Sequence, residues 1–286
     1  MLPFTGWFHI AAAVARLQER VGWPFRHRGL GRLLRLSRRD HIFRWEGLQL
    51  YFNHNVAGCY DSFLVPGGER ETHLFLHSIL DAIPNGQTVQ VVDVGANIGE
   101  ITLDVARHDR VSSVLAFEPQ VQCGRACALS AALNRLERKV SVRPVALSAT
   151  SGLVRFRVNE VSPQASAVVE DSAGGISVLA STLDAETQSI AAPCLVKIDV
   201  EGGELGVLQG GRKFIDRAKP LIVFEYNHLG RNRFGLHDIM TALGAGYEIF
   251  RLTGAGKLNR ALEQSWNCVA MHGESAWADG CRSLIT

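Results

Sequence analysis

The stretch VQVVDVGANIGEITL, residues 89–103, constrains the fold more than any other. Six residues, mostly valine, form a run too short and too β-branched for a buried helix. The run ends on Asp93, crosses Gly95, Asn97 and Gly99, and enters a segment with helical apolar spacing. A strand, a glycine turn and a helix in that order are the first half of a βαβ unit, which commits the chain to a parallel sheet with helices on its faces.

The pattern then repeats. SVLAFEP (113–119), VSVRPVALS (140–148), PCLVKIDVEG (193–202) and LIVFEYN (221–227) read as further strands, with helical segments at 120–135, 204–218 and 237–245. YEIFRLT (247–253) and SWNCVAMH (265–272), joined through a Gly-Ala-Gly turn, read as a closing antiparallel pair. The fold class is therefore α/β, a Rossmann-like sheet covered on both faces. Residues 149–192 interrupt the alternation. Their LVRFRV and GGISVLASTLD segments predict a β-rich insertion that extends the sheet or caps its ligand edge. Before it, IFRWEGLQLYF predicts a hairpin and GGERETHLFLHSILDAI a helix stopped by Pro84-Asn85-Gly86.

Residues 1–70 form an N-terminal extension of basic helices and short strands ahead of the main domain, 71–286. From Arg16 to Arg44 nine arginines face only Glu19 and Asp40. Leu30, Leu33, Leu34 and Leu36 share a helical face there, with arginines opposite. A helix packed on the domain explains this, and so does a peripheral contact with an anionic membrane or glycan. The whole chain carries only +2, which demands no nucleic-acid partner. The first residues lack a positive n-region and are too short to span a bilayer, so the expected location is cytoplasmic, with membrane-peripheral contact as the variant. Six cysteines without a CxxC fit reduced thiols rather than a zinc site.

In an open parallel sheet, ligands sit beyond the carboxyl ends of the strands. Chemistry-bearing residues fall there in this sequence. Asp93-Val94-Gly95-Ala96-Asn97-Ile98-Gly99 departs from GxGxxG, and no GxxxxGK[ST] is present, which argues against a dinucleotide or a triphosphate. A charged nucleoside fits instead. Gly95 would admit the ligand to the backbone, Gly99 would let the helix start near the strand, and Asp93 would accept from an ammonium or orient the loop. Glu118, 25 residues after Asp93, ends the second strand, where a carboxylate can take both ribose hydroxyls. Either feature alone also fits a capped strand-to-helix turn.

Lys197, Asp199 and Glu201 alternate onto one face of the fourth strand. They form either a structural ion network or a catalytic group. Glu225 and Asn227 would face the same cleft from the next strand, with His228 at its mouth as a candidate base. Asp199 with Glu225 could also hold a divalent cation, a reading these two acids suggest without requiring.

DVGANIG, FEP, STLD, LVKIDVEGGELGVLQGG and PLIVFEYN resemble, in order and spacing, the FkbM-type S-adenosylmethionine-dependent methyltransferases. The resemblance covers about Glu71 to His228. It implies a seven-stranded sheet whose last strand is antiparallel, S-adenosylmethionine as cofactor, and methyl transfer to a hydroxyl on a sugar, a glycan or a secondary metabolite. By resemblance Asp93, Gly95, Asn97 and Gly99 make the cofactor loop, Glu118 holds the ribose, and Glu71 serves the methionine end. Asp199, Glu201 and Glu204 then face the reaction centre. Two departures stand out: Gly203 where alanine is usual after EG, and arginine where tyrosine commonly precedes Glu71. Two rivals remain, a nucleic-acid methyltransferase and a non-catalytic binding module of the same fold. The first lacks the Asn/Asp-Pro-Pro-aromatic signature of base amino methylation. The second is disfavoured by the acids kept on the fourth strand.

Overall fold

The computed structural model describes residues 39–60, 69–157, 167–169, 175–263 and 266–286. The Arg-rich helices expected before residue 39 and the middle of the 149–192 insertion lie outside the described residues.

The described chain opens with an antiparallel hairpin, β1 (His41–Trp45) and β2 (Leu48–Phe52), in which Phe43 pairs with Leu50. Its turn is made by Glu46 and Gly47, both at positive φ. Helix α1 (Arg70–Asp81) follows, burying Phe75, Leu76, Ile79 and Leu80 on one face. Then come β3 (Val89–Val94), α2 (Glu100–Ala106), β4 (Val111–Phe117), α3 (Val121–Leu133) and β5 (Val140–Arg143). Next is β6 (Ala146–Leu147), and the 149–192 region contributes β7 (Gly152–Arg157), β8 (Ala167–Val169), β9 (Ile176–Ser181) and the short α4 (Leu183–Glu186). The second half runs β10 (Cys194–Ile198), α5 (Glu204–Gln209), α6 (Arg212–Ala218), β11 (Leu221–Glu225), α7 (His228–Arg231), α8 (Leu236–Leu243), β12 (Tyr247–Leu252), β13 (Leu258–Asn259), β14 (Asn267–His272) and α9 (Ala278–Ser283).

The main sheet has the order β13-β12-β14-β11-β10-β3-β4-β5. Strands β5, β4, β3, β10 and β11 are mutually parallel, and β14 is antiparallel to both its neighbours. The expected antiparallel last strand is present, but the sheet has eight strands rather than seven. The two residues of β13 turn back onto the end of β12 and add an edge.

Both faces are covered, so alternate strand residues enter two cores. Val89 and Val91 pack with α1, the first hairpin and Trp277, while Val92 and Val94 pack with Phe214 and Ile239 of α6 and α8. Phe43, Leu48, Leu50 and Phe52 belong to the first of these cores, so residues 41–60 are built into the domain. Main-chain amides of Gln49 and Tyr51 donate to Asn134 and Ser130 of the α3 region, which locks the hairpin in place.

Three local expectations differ. The strand expected over 140–148 breaks after Arg143, and its second part joins a separate sheet of order β6-β9-β7-β8. The insertion therefore stands beside the main sheet instead of extending it. The helix expected over 204–218 is two helices, because Gly210 and Gly211 lie where a side chain would strike Ser148 and Leu183. Among the described residues, no helix is long and apolar enough to cross a membrane.

Candidate functional site

A cavity of about 1080 Å³ opens at the carboxyl ends of β3, β4, β10 and β11. Asp93, Gly95, Asn97, Glu118, Lys197, Asp199, Glu201 and Glu225 all line it.

Asp93 and Lys197 are direct partners on adjacent parallel strands, so their side chains leave the sheet on one face. Asp93 is fully buried, and its Oδ2 accepts from the Thr102 hydroxyl at 2.5 Å. Its Oδ1 is buried and has no hydrogen-bond partner among the described residues. Burial pushes its carboxyl up, against the pull of Lys197. Lys197 is 7% exposed and donates to Asp199 Oδ2 at 3.0 Å. Burial opposes its charge, yet Asp199, Asp93 and Glu69 together hold the ammonium above its ordinary value. The ammonium thus offsets the charge of several acids in one pocket.

Glu118 ends β4 and folds back on the glycine turn. Its Oε2 accepts from the Asn97 amide at 2.8 Å, and Oε1 accepts from the Gln120 amide at 2.7 Å. Burial pushes it up to about 7. Each oxygen has a second acceptor position left.

The glycines act differently from the expectation. Gly95 sits at φ +86°, and a Cβ there would fall 1.8 Å from the Asp199 carbonyl oxygen. It permits the approach of two strand ends, with Asp199 N donating to Val94 O at 2.9 Å, and it also lies on the cavity wall. Gly99 makes room for Cys127 of α3, whose Sγ would lie 2.5 Å from a Cβ. It fixes helix against helix and is absent from the cavity wall.

Beyond Asp199 the chain leaves the strand alternation. Glu201 takes a left-handed conformation at φ 56°, which turns its carboxylate back toward Asp199 and Glu225. Burial, then Asp199, pushes Glu201 up to about 7. Glu225 is 8% exposed; burial first, then the charges of Asp199, Glu201 and Glu204, push it up to about 10. Oxygen atoms of Asp199, Glu201 and Glu225 lie within 4.8 Å of one another. That spacing suits an oxygen-ligated cation. The mutual repulsion of these acids, part of what raises Glu201 and Glu225, is what a cation there would relieve.

Besides Gly99, four expected site residues fall elsewhere. His228 is exposed and off the cavity wall, its ring beside Trp266 at 6.4 Å between centroids, because α7 starts there and turns it outward. Glu204 is buried under the loop, with Oε1 accepting from the Val200 and Gly202 amides at 3.1 Å each. It shapes the loop that carries Glu201. Asn227 is likewise behind the wall. Its Oδ1 caps α7 through the Leu229 and Gly230 amides, and its Nδ2 donates to Glu225 at 2.7 Å and Glu201 at 3.3 Å. Glu71 points instead at Asn267, whose Nδ2 donates to it at 3.4 Å.

Glu69 occupies the place expected of Glu71. It precedes α1 in a left-handed conformation, accepts from the Thr72 hydroxyl at 2.8 Å and lines the cavity. The two-residue slip reflects where the helix starts: Glu71 is already in its first turn. Arg157, Arg233 and Trp266 also reach the wall, and no strand-end pattern marked them.

A mostly parallel sheet with acids at successive strand ends, closed over one cavity by a glycine turn, defines an α/β domain of the methyltransferase type. Residues 93–249, more than half the chain, match the model of the methyltransferase FkbM domain. The chain belongs to the FkbM methyltransferase family. Among solved structures it is similar to methyltransferase FkbM from Methylobacillus flagellatus KT, at 16% identity and a TM-score of 0.48, over 77% of this chain and 54% of that one. The chain thus spans about half the length of that protein. It is also similar to TYW2 of M. jannaschii in complex with AdoMet (15% identity, TM-score 0.41, 82% of this chain and 86% of that one). The O-methyltransferase from Bacillus cereus in complex with SAH is a third (12%, TM-score 0.40, 71% and 79%). A comparison with curated proteins gives no match.

Proposed function

We propose that the chain transfers a methyl group from S-adenosylmethionine to a hydroxyl on a sugar, glycan or secondary-metabolite acceptor. One observation carries the reading: a buried acid with an unpartnered oxygen, Asp93, and a buried acid with two spare acceptor positions, Glu118, face one cavity from adjacent strands. An orphaned carboxylate oxygen in a cavity wall fits a cationic ligand, and the paired acceptor positions fit a ribose diol.

The residues divide by task. Glu118 would hold the ribose hydroxyls. Asp93 and Glu69 would hold the ammonium, with Lys197 offsetting part of their mutual repulsion. S-adenosylmethionine, when bound, supplies an electrophilic methyl on a positively charged sulfur. Glu201 takes the proton of the acceptor hydroxyl, since a base is most effective when its pKa lies near the working pH and burial has brought this one to about 7. Asp199 orients beside it from the Lys197 pair, and Asn227 holds Glu201 and Glu225 in place.

The test is isothermal titration with S-adenosylmethionine and S-adenosylhomocysteine, followed by transfer of labelled methyl into fractionated cell extract. Glu118→Ala is expected to weaken cofactor binding by about tenfold or more. Glu201→Gln is expected to leave that binding within about twofold while slowing turnover by about 10²–10⁴-fold. A protein that ignores both ligands at millimolar concentration would overturn the proposal.

A further inference from the structure

The cavity wall is divided by charge. Its inner part holds Lys197 among the acids described above, while Arg157, from β7 of the small sheet, and Arg233, just after α7, are exposed members of the same wall. Among the described residues neither is paired with an acid. The Arg157 side chain makes no hydrogen bond or ion pair among the described residues. Arg233 Nη1 donates to the Gly202 carbonyl at 3.1 Å and has no carboxylate partner there. In a wall so rich in carboxylates, attraction alone would tie a long cationic side chain to one of them. Two guanidiniums left unpaired, each a planar fork of N–H donors, make a receptor for a phosphate or carboxylate.

Two further observations bear on what carries that anion. Trp266 lies on the same wall and is 54% exposed, with the His228 ring tilted beside it at 6.4 Å between centroids. Position matters as well. Arg233 is anchored on the carbonyl of Gly202, the neighbour of Glu201, so an anion held by Arg233 ties its carrier close to the proton acceptor.

Resting on the proposed transferase reading, we propose that the acceptor is a small ring-bearing alcohol with one anionic group. Arg233 and Arg157 seat the phosphate or carboxylate, Trp266 covers the ring, and the hydroxyl to be methylated reaches Glu201.

The experiment is isothermal titration of the full chain, saturated with S-adenosylhomocysteine, against glucose 6-phosphate, glucuronate and glucose. The wild type is expected to bind at least one of the two anionic sugars about tenfold or more tightly than glucose, and which of them wins separates phosphate from carboxylate. The double variant Arg157→Gln, Arg233→Gln is expected to keep its affinity for S-adenosylhomocysteine and lose the preference. Both positions are exposed, so their loss leaves the core intact. Glucose bound as well as either anion, a preference that survives in the double variant, or no sugar bound by the cofactor-loaded protein would each overturn the inference. Failure to bind S-adenosylhomocysteine would instead strike the transferase reading itself.

Discussion

Gly95→Ala separates the cost of a left-handed backbone from the cost of a collision. The matched control is Gly86, which has φ +85° against +86° at Gly95 and nothing within 4 Å of the point a Cβ would occupy. Gly86→Ala should therefore lose only the conformational part, about 1–2 kcal/mol. At Gly95 the new Cβ would fall 1.8 Å from the Asp199 carbonyl oxygen and 2.8 Å from its carbon, both main-chain atoms. To reach 3.0 Å, which real Cβ atoms seldom undercut, the two strand ends must part by about 1.2 Å. That movement breaks the Asp199 amide to Val94 carbonyl bond and costs about 1 kcal/mol more, before any repacking of the overpacked contact, typically about 1–3 kcal/mol. The total for Gly95→Ala is then about 3–6 kcal/mol. It also carries Asp199 off Lys197, and a misplacement of about 1 Å can cost about 10²-fold in rate. Urea unfolding of the two variants gives the stability difference, and titration with S-adenosylhomocysteine gives the effect on the cavity. Equal destabilisation of the two variants, with cofactor affinity unchanged in Gly95→Ala, would refute the close approach of β3 and β10 on which the site is built.

Two pH effects follow from the same structure. Glu118 has a carboxyl pushed up to about 7 by burial, and hydroxyl donors on a bound ribose favour its ionised form. Binding therefore releases a proton near pH 7, and affinity for S-adenosylhomocysteine should rise from pH 6 to pH 8; Glu118→Gln should abolish both, as read by calorimetry in two buffers of different ionisation enthalpy. A wild type that releases no proton would count against this placement of Glu118. Asp104 of α2 accepts from His73 Nδ1 at 2.6 Å and His77 Nε2 at 2.9 Å, with Arg107 Nη2 in an ion pair at 2.7 Å. Burial opposes both charges, but the pairing holds Asp104 down at about 2 and His73 up at about 9. The histidine's contribution to stability is whole below its ordinary value of 6.5 and fades as pH rises through 9. The aspartate's is whole above 3.8 and fades as pH falls toward 2. Asp104→Asn should lower stability by about 3–5 kcal/mol at pH 6 and flatten the fall between pH 6.5 and 9 in urea titrations; an unchanged profile would show that the cluster is not coupled to folding.

Much of the site was legible because strand periodicity and short motifs are local. Asp93 and Glu118 close runs of apolar residues, and a run that ends on an acid at the carboxyl edge of a parallel sheet has few other places to put it. Lys197 and Asp199 followed from alternation alone. Glu201 was assigned to the same face for a reason that does not hold: the strand ends at Ile198, and the residue comes back to its neighbours through a left-handed turn. Where the outcome hung on the first residue of a helix, sequence spacing misplaced the acid, as with Glu69 and Glu71. Where it hung on which way a helix start turns, it misplaced His228.

The chain's own order of residues determined the layered α/β architecture, the antiparallel closing strand and the acids at the strand tips, because each depends on neighbours a few positions apart. Only the folded molecule decided how burial and mutual charge raise Glu118, Glu201 and Glu225, that Gly95 makes room for the Asp199 carbonyl, and that Arg157, Arg233 and Trp266 share a wall with them. Those properties arise between residues far apart in the chain, such as Gly95 and Asp199, whose burial and mutual charge exist only once the sheet has brought them into one low-dielectric space.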